Sequence, residues 1–397
     1  MNILESAFGQ GPLERFPKAV DPSLRAWDAA DEYLLEHTAS LGLSPDACIW
    51  VVNDQFGALS VHLSQFNLYG FSDSWLSHTA TERNLKHFES TSEASTAEPS
   101  DIQLHSSLVL GDAALPKPDL VLVKLPKSLA MLEDQLARLH ACLDQKVPVV
   151  FAGMVKHMSR NIWPTIEQNL GSTETSLAKK KAKLIFAYAN AEQCPAQGRY
   201  PSKYQVPEFG LDLSNHAGVF SRDSLDIGTR FLLQNLKLLQ ANNPSNSTAN
   251  NPSNIVDLAC GNGVIGLSLA KQYPEAKITF TDESFMAVAS AELNAQAALG
   301  DVSQHQFLVN HSLSGLAPNS QDLVVVNPPF HQQNTVSDQV ARAMFKQSAR
   351  CLNKGGELWV VANRHLGYHK PLKALFGHCE VVTSNKKFVI LRAQKNQ

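Results

Sequence analysis

Short runs of β-branched and aliphatic residues recur along the chain, separated by stretches in which apolar positions repeat at helical spacing. That alternation is the signature of parallel strands joined by crossover helices. In the second half the runs Asn254–Ala259, Lys277–Thr281, Gln306–Val309, Asp322–Val326, Glu357–Ala362 and Phe388–Ala393 predict strands, and Gln339–Leu352 predicts one of the helices between them. The first half repeats the plan. Ile49–Leu63 (IWVVNDQFGALSVHL) can be laid over Ile255–Leu269 (IVDLACGNGVIGLSL) as strand, turn and helix. Asp119–Lys127 (DLVLVKLPK) runs parallel to Asp322–Phe330 (DLVVVNPPF), Cys142-Leu143 answers to Cys351-Leu352, Lys156-His157 to Arg364-His365, and Asp73 roughly to Asp282. Matching segments kept in one order imply one architecture used twice. The expected fold class is therefore α/β, with two tandem doubly wound domains.

A chain of 397 residues exceeds the size at which a single core keeps growing, which agrees with two domains. Their junction is expected near Pro195–Pro207, giving domains 1–195 and 196–397. Gln240–Asn254 (QANNPSNSTANNPSN) and Glu89–Ser100 lack an apolar period and predict polar surface loops. Hydrophobic residues make up 44% and charged residues 18%, with no apolar run of membrane-spanning length and no basic-then-apolar leader at Met1, so a soluble cytoplasmic protein is expected. The six cysteines (Cys48, Cys142, Cys194, Cys260, Cys351, Cys379) form no C-x-x-C pair, which points to reduced core residues and away from a zinc site. A formal net charge of -3 excludes a generally basic coat, so contact with nucleic acid has to come from a local patch. Lys179-Lys-Lys-Ala-Lys183, with Arg160, Arg199 and Lys203 nearby in sequence, is the densest candidate; solvated faces carry such runs too.

The second half carries two motifs that the first lacks. Ile255-Val-Asp-Leu-Ala-Cys-Gly-Asn-Gly263 places Gly261 and Gly263 after an apolar strand and before a helix, where a Cβ would obstruct both a positive-φ turn and the approach of a cofactor. Asp282 ends the next strand, where a carboxylate can accept from both ribose hydroxyls. The layout serves NAD as well as S-adenosylmethionine. The decision rests on Asp257: inside the strand it could accept from a methionine ammonium, directly or through water, whereas beside a pyrophosphate it would repel. The expected cofactor is S-adenosylmethionine, with Asp257, Ala259, Gly261, Gly263 and Asp282 around it. Ala259 stands where Rossmann-like methyltransferases more usually have a first glycine.

Asn327-Pro328-Pro329-Phe330 follows the strand Asp322–Val326 and matches the [DNS]-P-P-[FYW] motif of amino-methyltransferases. An amino group on an aromatic ring shares its lone pair with the ring and is a poor nucleophile. The Asn327 oxygen and the Pro328 carbonyl can take its two hydrogens and leave the lone pair facing the methyl donor, Phe330 can stack on the flipped base, and Pro328 and Pro329 stiffen the turn. No metal and no strong base is needed, because the amine loses its proton after transfer. His331 follows, as a contact to the base or as part of the turn. In the first half Lys124-Leu-Pro-Lys127 occupies the place of the tetrapeptide, and Gln55 and Gly57 stand where Gly261 and Gly263 do; that half is expected to bind no cofactor and to serve as a substrate platform or folding partner.

At these residues the chain resembles the RlmG/RsmC family of bacterial ribosomal RNA guanine-N2 methyltransferases, and its large-subunit (23S) branch more closely. The resemblance rests on Phe220-Ser-Arg-Asp-Ser-Leu-Asp-Ile-Gly-Thr-Arg230, the DLACGNG loop, Asn327-Pro-Pro-Phe-His-Gln332 and Ala362-Asn-Arg-His-Leu366 with Lys387-Phe-Val-Ile-Leu391. It implies two tandem class I methyltransferase domains, Rossmann-like, of which only the second is catalytic. It also implies that Gly228 and Thr229 lie near the methionine end of the cofactor, that Asn310 lies near its adenine, that Asn327 faces the cofactor as well as the substrate, and that 23S ribosomal RNA, naked or partly assembled, is the substrate. The tetrapeptide alone leaves adenine N6 and a protein glutamine open. An RNA-binding assembly factor with a vestigial cofactor fold is the reading from another class.

Overall fold

The computed structural model describes residues 2–19, 21–91, 102–193, 198–241, 251–329 and 335–396. The chain divides into two compact units, Met1–Tyr200 and Pro201–Gln397. The first opens with a hairpin, β1 (Asn2–Ser6) and β2 (Gly9–Leu13), then α1 (Ala29–Ser40), β3 (Cys48–Val52), α2 (Ala58–His62), β4 (Asn67–Ser72), α3 (Trp75–Thr91) and β5 (Gln103–Ser106). It continues with β6 (Leu120–Lys124), α4 (Leu129–Cys142), β7 (Pro148–Met154), α5 (Ile162–Asn169), β8 (Thr173–Thr175) and β9 (Ala182–Tyr188). The second opens with its own hairpin, β10 (Ser202–Val206) and β11 (Leu211–Asn215), then α6 (Ile227–Gln234), α7 (Leu238–Ala241), β12 (Asn254–Leu258), α8 (Val264–Gln272), β13 (Lys277–Asp282), α9 (Phe285–Leu299) and β14 (Gln306–Val309). β15 (Gln321–Val326), α10 (Thr335–Cys351), β16 (Leu352–Asn363), α11 (His369–Phe376), β17 (Glu380–Ser384) and β18 (Phe388–Gln394) complete it.

Each unit is built on a seven-stranded sheet, and the two sheets share one topology: β5-β4-β3-β6-β7-β9-β8 and β14-β13-β12-β15-β16-β18-β17. The first five strands in each order are parallel, and the last two pair antiparallel. The duplicated α/β plan expected from the sequence is present. The sheet is covered on both faces, so its strands read as near-continuous apolar runs. In the second unit Ile255, Leu323, Val325 and Trp359 face one core with Leu267 and Ala291, while Val256, Val324, Val326 and Val360 face another with Phe345 and Leu372. Even the capping of the strands is shared: the Asp119 carboxylate accepts from the N–H of Cys48 at 2.8 Å, and Asp322 from the N–H of Ser253 and of Asn254, each at 3.0 Å.

Several boundaries differ from the sequence reading. α10 begins at Thr335, four positions before its expected start, and β16 begins at Leu352. α3 runs through Thr91 and α7 through Ala241, so the two polar stretches start later than expected; residues 92–101 and 242–250 lie outside the described residues. Strand β10 lies within the region read as a junction and β11 just beyond it, and neither these nor edge strand β17 was expected; all three are only five residues long. Trp50 and Trp359 are core residues, whereas Trp75 opens α3 and is half-buried. Strand register corrects one pairing of the halves. Val52 lies opposite Phe71 as Leu258 lies opposite Thr281, so Ser72, and not Asp73, is the counterpart of Asp282.

Gly266 in α8 tests the packing of this helix on the sheet. A Cβ there would lie 2.3 Å from the Phe280 ring, which is fully buried. Gly266→Ala is expected to cost about 1–3 kcal/mol through overpacking and to lower the thermal midpoint by several degrees; an unchanged midpoint by calorimetry would contradict this packing.

Candidate active site

The strand order of the second unit reverses between β12 and β15: the chain runs outward through β13 and β14, then returns to β15 on the other side of β12. Open α/β sheets bind ligands outside the carboxyl ends of the strands at such a point. Register sets Leu258 beside Val326, so the bend after β12 and the turn after β15 leave the sheet side by side. The two motifs of the second half thereby meet.

The bend is held from several sides. Ala259, Gly261 and Gly263 all have positive φ (57°, 54° and 80°), a region that strains residues with a Cβ. A Cβ on Gly263 would lie 2.8 Å from that of Ala291, so this glycine lets α8 and α9 approach. At Gly261 no atom of the described residues beyond its chain neighbours lies within 4 Å of where a Cβ would be. That glycine therefore leaves space open to a ligand. Asn262 donates its amide to Asn215 at 2.9 Å and to Tyr204 at 3.2 Å, and its carbonyl accepts from Asn294 at 2.9 Å, which ties the bend to the β10–β11 hairpin and α9. Sequence reasoning missed Asn262 and these partners; the Asn between two glycines was the only visible signal.

Asp282 ends β13 and accepts from the N–H of Gly261 at 3.0 Å and of Ser284 at 3.1 Å. Burial raises its carboxyl above the usual range, although these N–H bonds oppose the shift and its surface is partly open. Asp257 is fully buried. Its Oδ2 accepts from the N–H of Gly266 at 2.7 Å, and its Oδ1 has no hydrogen-bond partner among the described residues. Burial pushes this carboxyl up to about 8, with Gly266 offsetting part of the rise and Asp282 adding to it. Cys260, buried beside both carboxylates, stays a thiol because burial and their charge raise it well above its usual range.

Asn310 follows β14 and donates its backbone N–H to the Asp282 carbonyl at 2.8 Å, so it stands next to the acid. Its side chain is committed to its own turn: Oδ1 accepts from the N–H of His311 and the hydroxyl of Ser314, and Nδ2 donates to the Ser314 carbonyl.

At the end of β15 Asn327 is half-buried and Pro328 is buried. The Asn327 amide donates to Asp226 Oδ2 at 3.1 Å and to Thr229 Oγ1 at 2.8 Å. Since the carboxylate only accepts, this assigns the amide's orientation, and its Oδ1 is buried with no partner among the described residues. Asp226 is the N-cap of α6 and accepts the N–H of Thr229 at 2.8 Å; Gly228 and Thr229 are buried in the first turn of that helix. Of the expected site residues the structure thus gathers Gly228, Thr229, Asp257, Ala259, Gly261, Gly263, Asp282, Asn310, Asn327, Pro328 and Pro329 along the carboxyl ends of adjacent strands and the start of α6. Phe330 and His331 lie outside the described residues.

The first unit keeps the geometry and changes the chemistry. Lys124, the register counterpart of Asn327, sits 2.9 Å from Asp28 and 2.7 Å from Asp31, and Asp28 is the N-cap of α1 as Asp226 is of α6. Burial pushes Asp31 up to about 6 against the pull of Lys124, and the two acids raise Lys124 despite its burial. Val51 replaces Asp257, Ser72 replaces Asp282, and Gln55 is not among the positive-φ residues. Asp54 fills the bend, accepting from the N–H groups of Gly57, Leu59 and Ser60. The basic cluster is also altered by the structure: Lys179 pairs with Glu36, Lys180 with Glu32 at 2.6 Å and Arg199 with Glu133 at 2.7 Å, which leaves Lys181, Arg160 and Lys203 as its exposed cations outside those pairs. Four of the five described cysteines are buried and all five are unpaired; Cys194 lies outside the described residues. Among the described residues no cluster of His, Cys, Asp or Glu is placed to hold a metal, and no helix is long and apolar enough to cross a membrane.

Residues 1–191 match the family described as RLMG N-terminal domain, and residues 210–392 match the methyltransferase small domain. Ribosomal RNA large subunit methyltransferase G of Pseudomonas paraeruginosa (strain DSM 24068 / PA7) is 43% identical over 396 residues, covering 100% of each chain. The protein of that name from Aeromonas salmonicida (strain A449) is 42% identical over 395 residues, 99% of each chain. The chain belongs to the ribosomal RNA large subunit methyltransferase G family. Among solved structures, the T. thermophilus 16S rRNA N2 methyltransferase RsmC in complex with AdoMet and guanosine superposes with a TM-score of 0.72 at 19% identity, covering 100% of this chain and 98% of that one. The tandem fold read from the strand order is therefore the fold of a two-domain methyltransferase, and membership of the methyltransferase G family extends over both units.

The buried carboxyl of Asp257 gives a pH test. Raised from 3.8 to about 8 in the folded protein, it binds a proton there at pH values where the unfolded chain has lost it. Stability must then fall as pH rises from about 4 towards 8 and level off above. Denaturant titrations at pH 5, 6.5 and 8 are expected to show the native protein losing on the order of 1 kcal/mol per pH unit relative to Asp257→Asn. Parallel pH curves for the two proteins would contradict it.

Proposed function

We propose that the protein transfers the methyl group of S-adenosylmethionine to the exocyclic N2 of a guanine in 23S ribosomal RNA, using the carboxyl-edge site of its second unit. One observation carries the reading: a buried amide oxygen with no partner among the described residues, Asn327 Oδ1, at the switch point of the sheet next to the glycine bend. The relatives' name supports large-subunit ribosomal RNA as the substrate.

The residues present fit the donor. Space at Gly261, the Asp282 carboxylate at the end of β13 and the unpartnered Asp257 Oδ1 suit a nucleoside bearing ribose hydroxyls and an amino-acid tail. Gly261 would face the nucleoside, Asp282 the ribose, Asp257 and the main chain of the first turn of α6 around Gly228 and Thr229 the methionine end, and Asn310 the adenine edge. When bound, S-adenosylmethionine supplies an electrophilic methyl group. Asn327 Oδ1 and the Pro328 carbonyl take the two amine hydrogens, which turns the nitrogen lone pair towards that group and favours a more tetrahedral nitrogen. Phe330 stacks on the extruded base. Acceptors fixed before the substrate arrives need no reorganisation during the reaction, and this is the main contribution of the site to rate.

The domains divide the work. Residues 196–397 carry the chemistry, and residues 1–195 form a degenerate partner in which Asp54 and Lys124 occupy the bend and the amide position, leaving that unit to serve as an RNA platform.

Labelled methyl transfer to ribosomal RNA from a strain lacking the gene, followed by nucleoside analysis, is expected to yield N2-methylguanosine. Recovery of N6-methyladenosine, or no RNA product, would overturn the substrate. Asn327→Ala is expected to lower turnover by about 100-fold or more while leaving donor binding by calorimetry within a few-fold; full turnover in that variant would refute its role.

A further inference from the structure

The Asn327 amide can do its work in one orientation only. Rotated by half a turn it would present two N–H donors to an amine that itself has two hydrogens to give, and the contact would repel. Nothing in the tetrapeptide prevents that flip. What prevents it lies about a hundred positions earlier in the chain, in the first turn of α6.

Asp226 Oδ2 accepts two hydrogens, the Thr229 N–H at 2.8 Å and the Asn327 amide at 3.1 Å. The first bond is ordinary helix capping. The second serves no purpose in a cap. Thr229 Oγ1 accepts the other amide hydrogen at 2.8 Å, and Thr229 is itself buried, 6% exposed. Both donor hydrogens of Asn327 are thus consumed by groups on one helical turn, and among the described residues its oxygen has no partner. A side-chain link between the N-cap of the preceding helix and the residue after the fourth parallel strand is a property of the fold. The first unit keeps it, with Asp28 and Asp31 gripping Lys124. There the gripped group is an ammonium, which has donors only and leaves no acceptor to a substrate. The link became a site in the second unit because the gripped group is an amide with a second end.

We propose that Asp226 and Thr229 are positioning residues that hold the Asn327 amide with its oxygen facing the substrate amine. This rests on the function proposed above, and it assigns Thr229 Oγ1 to the amide instead of to the cofactor. The pair acts through Asn327 and touches no reacting atom. The Asp226 carboxylate sets the orientation and the Thr229 hydroxyl holds the amide in place, so loss of either grip lowers the fraction of enzyme competent for transfer while both ligands still bind.

Thr229→Val removes the hydroxyl at nearly constant shape, Thr229→Ser keeps it, and Asp226→Ser keeps a good N-cap on a shorter side chain while withdrawing the acceptor from the Asn327 amide. With ribosomal RNA and saturating S-adenosylmethionine, Thr229→Val and Asp226→Ser are each expected to lower kcat by about 10-fold, the loss of one buried hydrogen bond. KM for RNA and Kd for S-adenosylmethionine should move by less than about 3-fold, and Thr229→Ser should recover kcat to within about 3-fold of the native protein. Unchanged kcat in Thr229→Val would overturn the proposal. So would weakened S-adenosylmethionine binding with full kcat at saturation, which would assign Thr229 to the cofactor. If Thr229→Val fails to fold, Thr229→Ser and Asp226→Ser give the same reading: Asp226→Ser with native kcat sinks the idea. Absence of transfer by the native protein would refute the function itself, and is distinguishable because it precedes any variant.

Discussion

Two parallel strands, β12 and β15, lie side by side where the strand order of the second unit reverses, and everything proposed for this protein depends on that adjacency. Parallel strands leave the sheet in the same direction, so whatever follows each strand must share one edge. After β12 the chain bends through Ala259, Gly261 and Gly263; after β15 it turns at Asn327 and Pro328. Neither segment could form a site alone. The bend has room and carboxylates but no group suited to a neutral amine, and the turn has acceptors but nothing to hold a donor.

The energetic cost of the arrangement is visible in what it leaves unpaired. Asp257 Oδ1 and Asn327 Oδ1 are buried polar atoms without partners among the described residues, and such atoms usually cost about 1–3 kcal/mol each. Ala259 adds strain in a left-handed conformation. The first unit keeps the left-handed residue, at Asn53, but not the two open atoms: Asp54 satisfies the N–H groups of its own bend and Lys124 is neutralised by two acids. Two copies of one fold therefore differ in the way that a scaffold differs from a site, one closed on itself and one left open at specific atoms.

Much of this was legible in the sequence. The strand runs, the internal repeat and both motifs depend on apolar periodicity and on glycine and proline, which act locally, so five of the six expected strands of the second unit were placed to within one residue of their ends, and β16 starts five residues earlier than expected. The rest depends on contacts between distant segments. Asp226 reads as a routine helix cap until β15 brings Asn327 against it, and Asn262 reads as a spacer until the β10–β11 hairpin folds over it. The basic run at Lys179–Lys183 suggested a nucleic-acid patch because sequence shows cations and hides the α1 carboxylates that neutralise two of them. Counterparts between the halves were also misjudged where loops differ in length: Asp73 attracted the match to Asp282 by residue type, and only register shows that Ser72 holds the position.

The most direct measurement is a crystal structure of the protein with S-adenosylhomocysteine and guanosine. The guanosine amine is expected within about 3 Å of Asn327 Oδ1, with the Asn327 amide nitrogen still on Asp226 and Thr229 and the homocysteine sulfur facing the same amine. A base bound away from the turn after β15, or a nucleoside excluded from the bend at Gly261, would contradict the account.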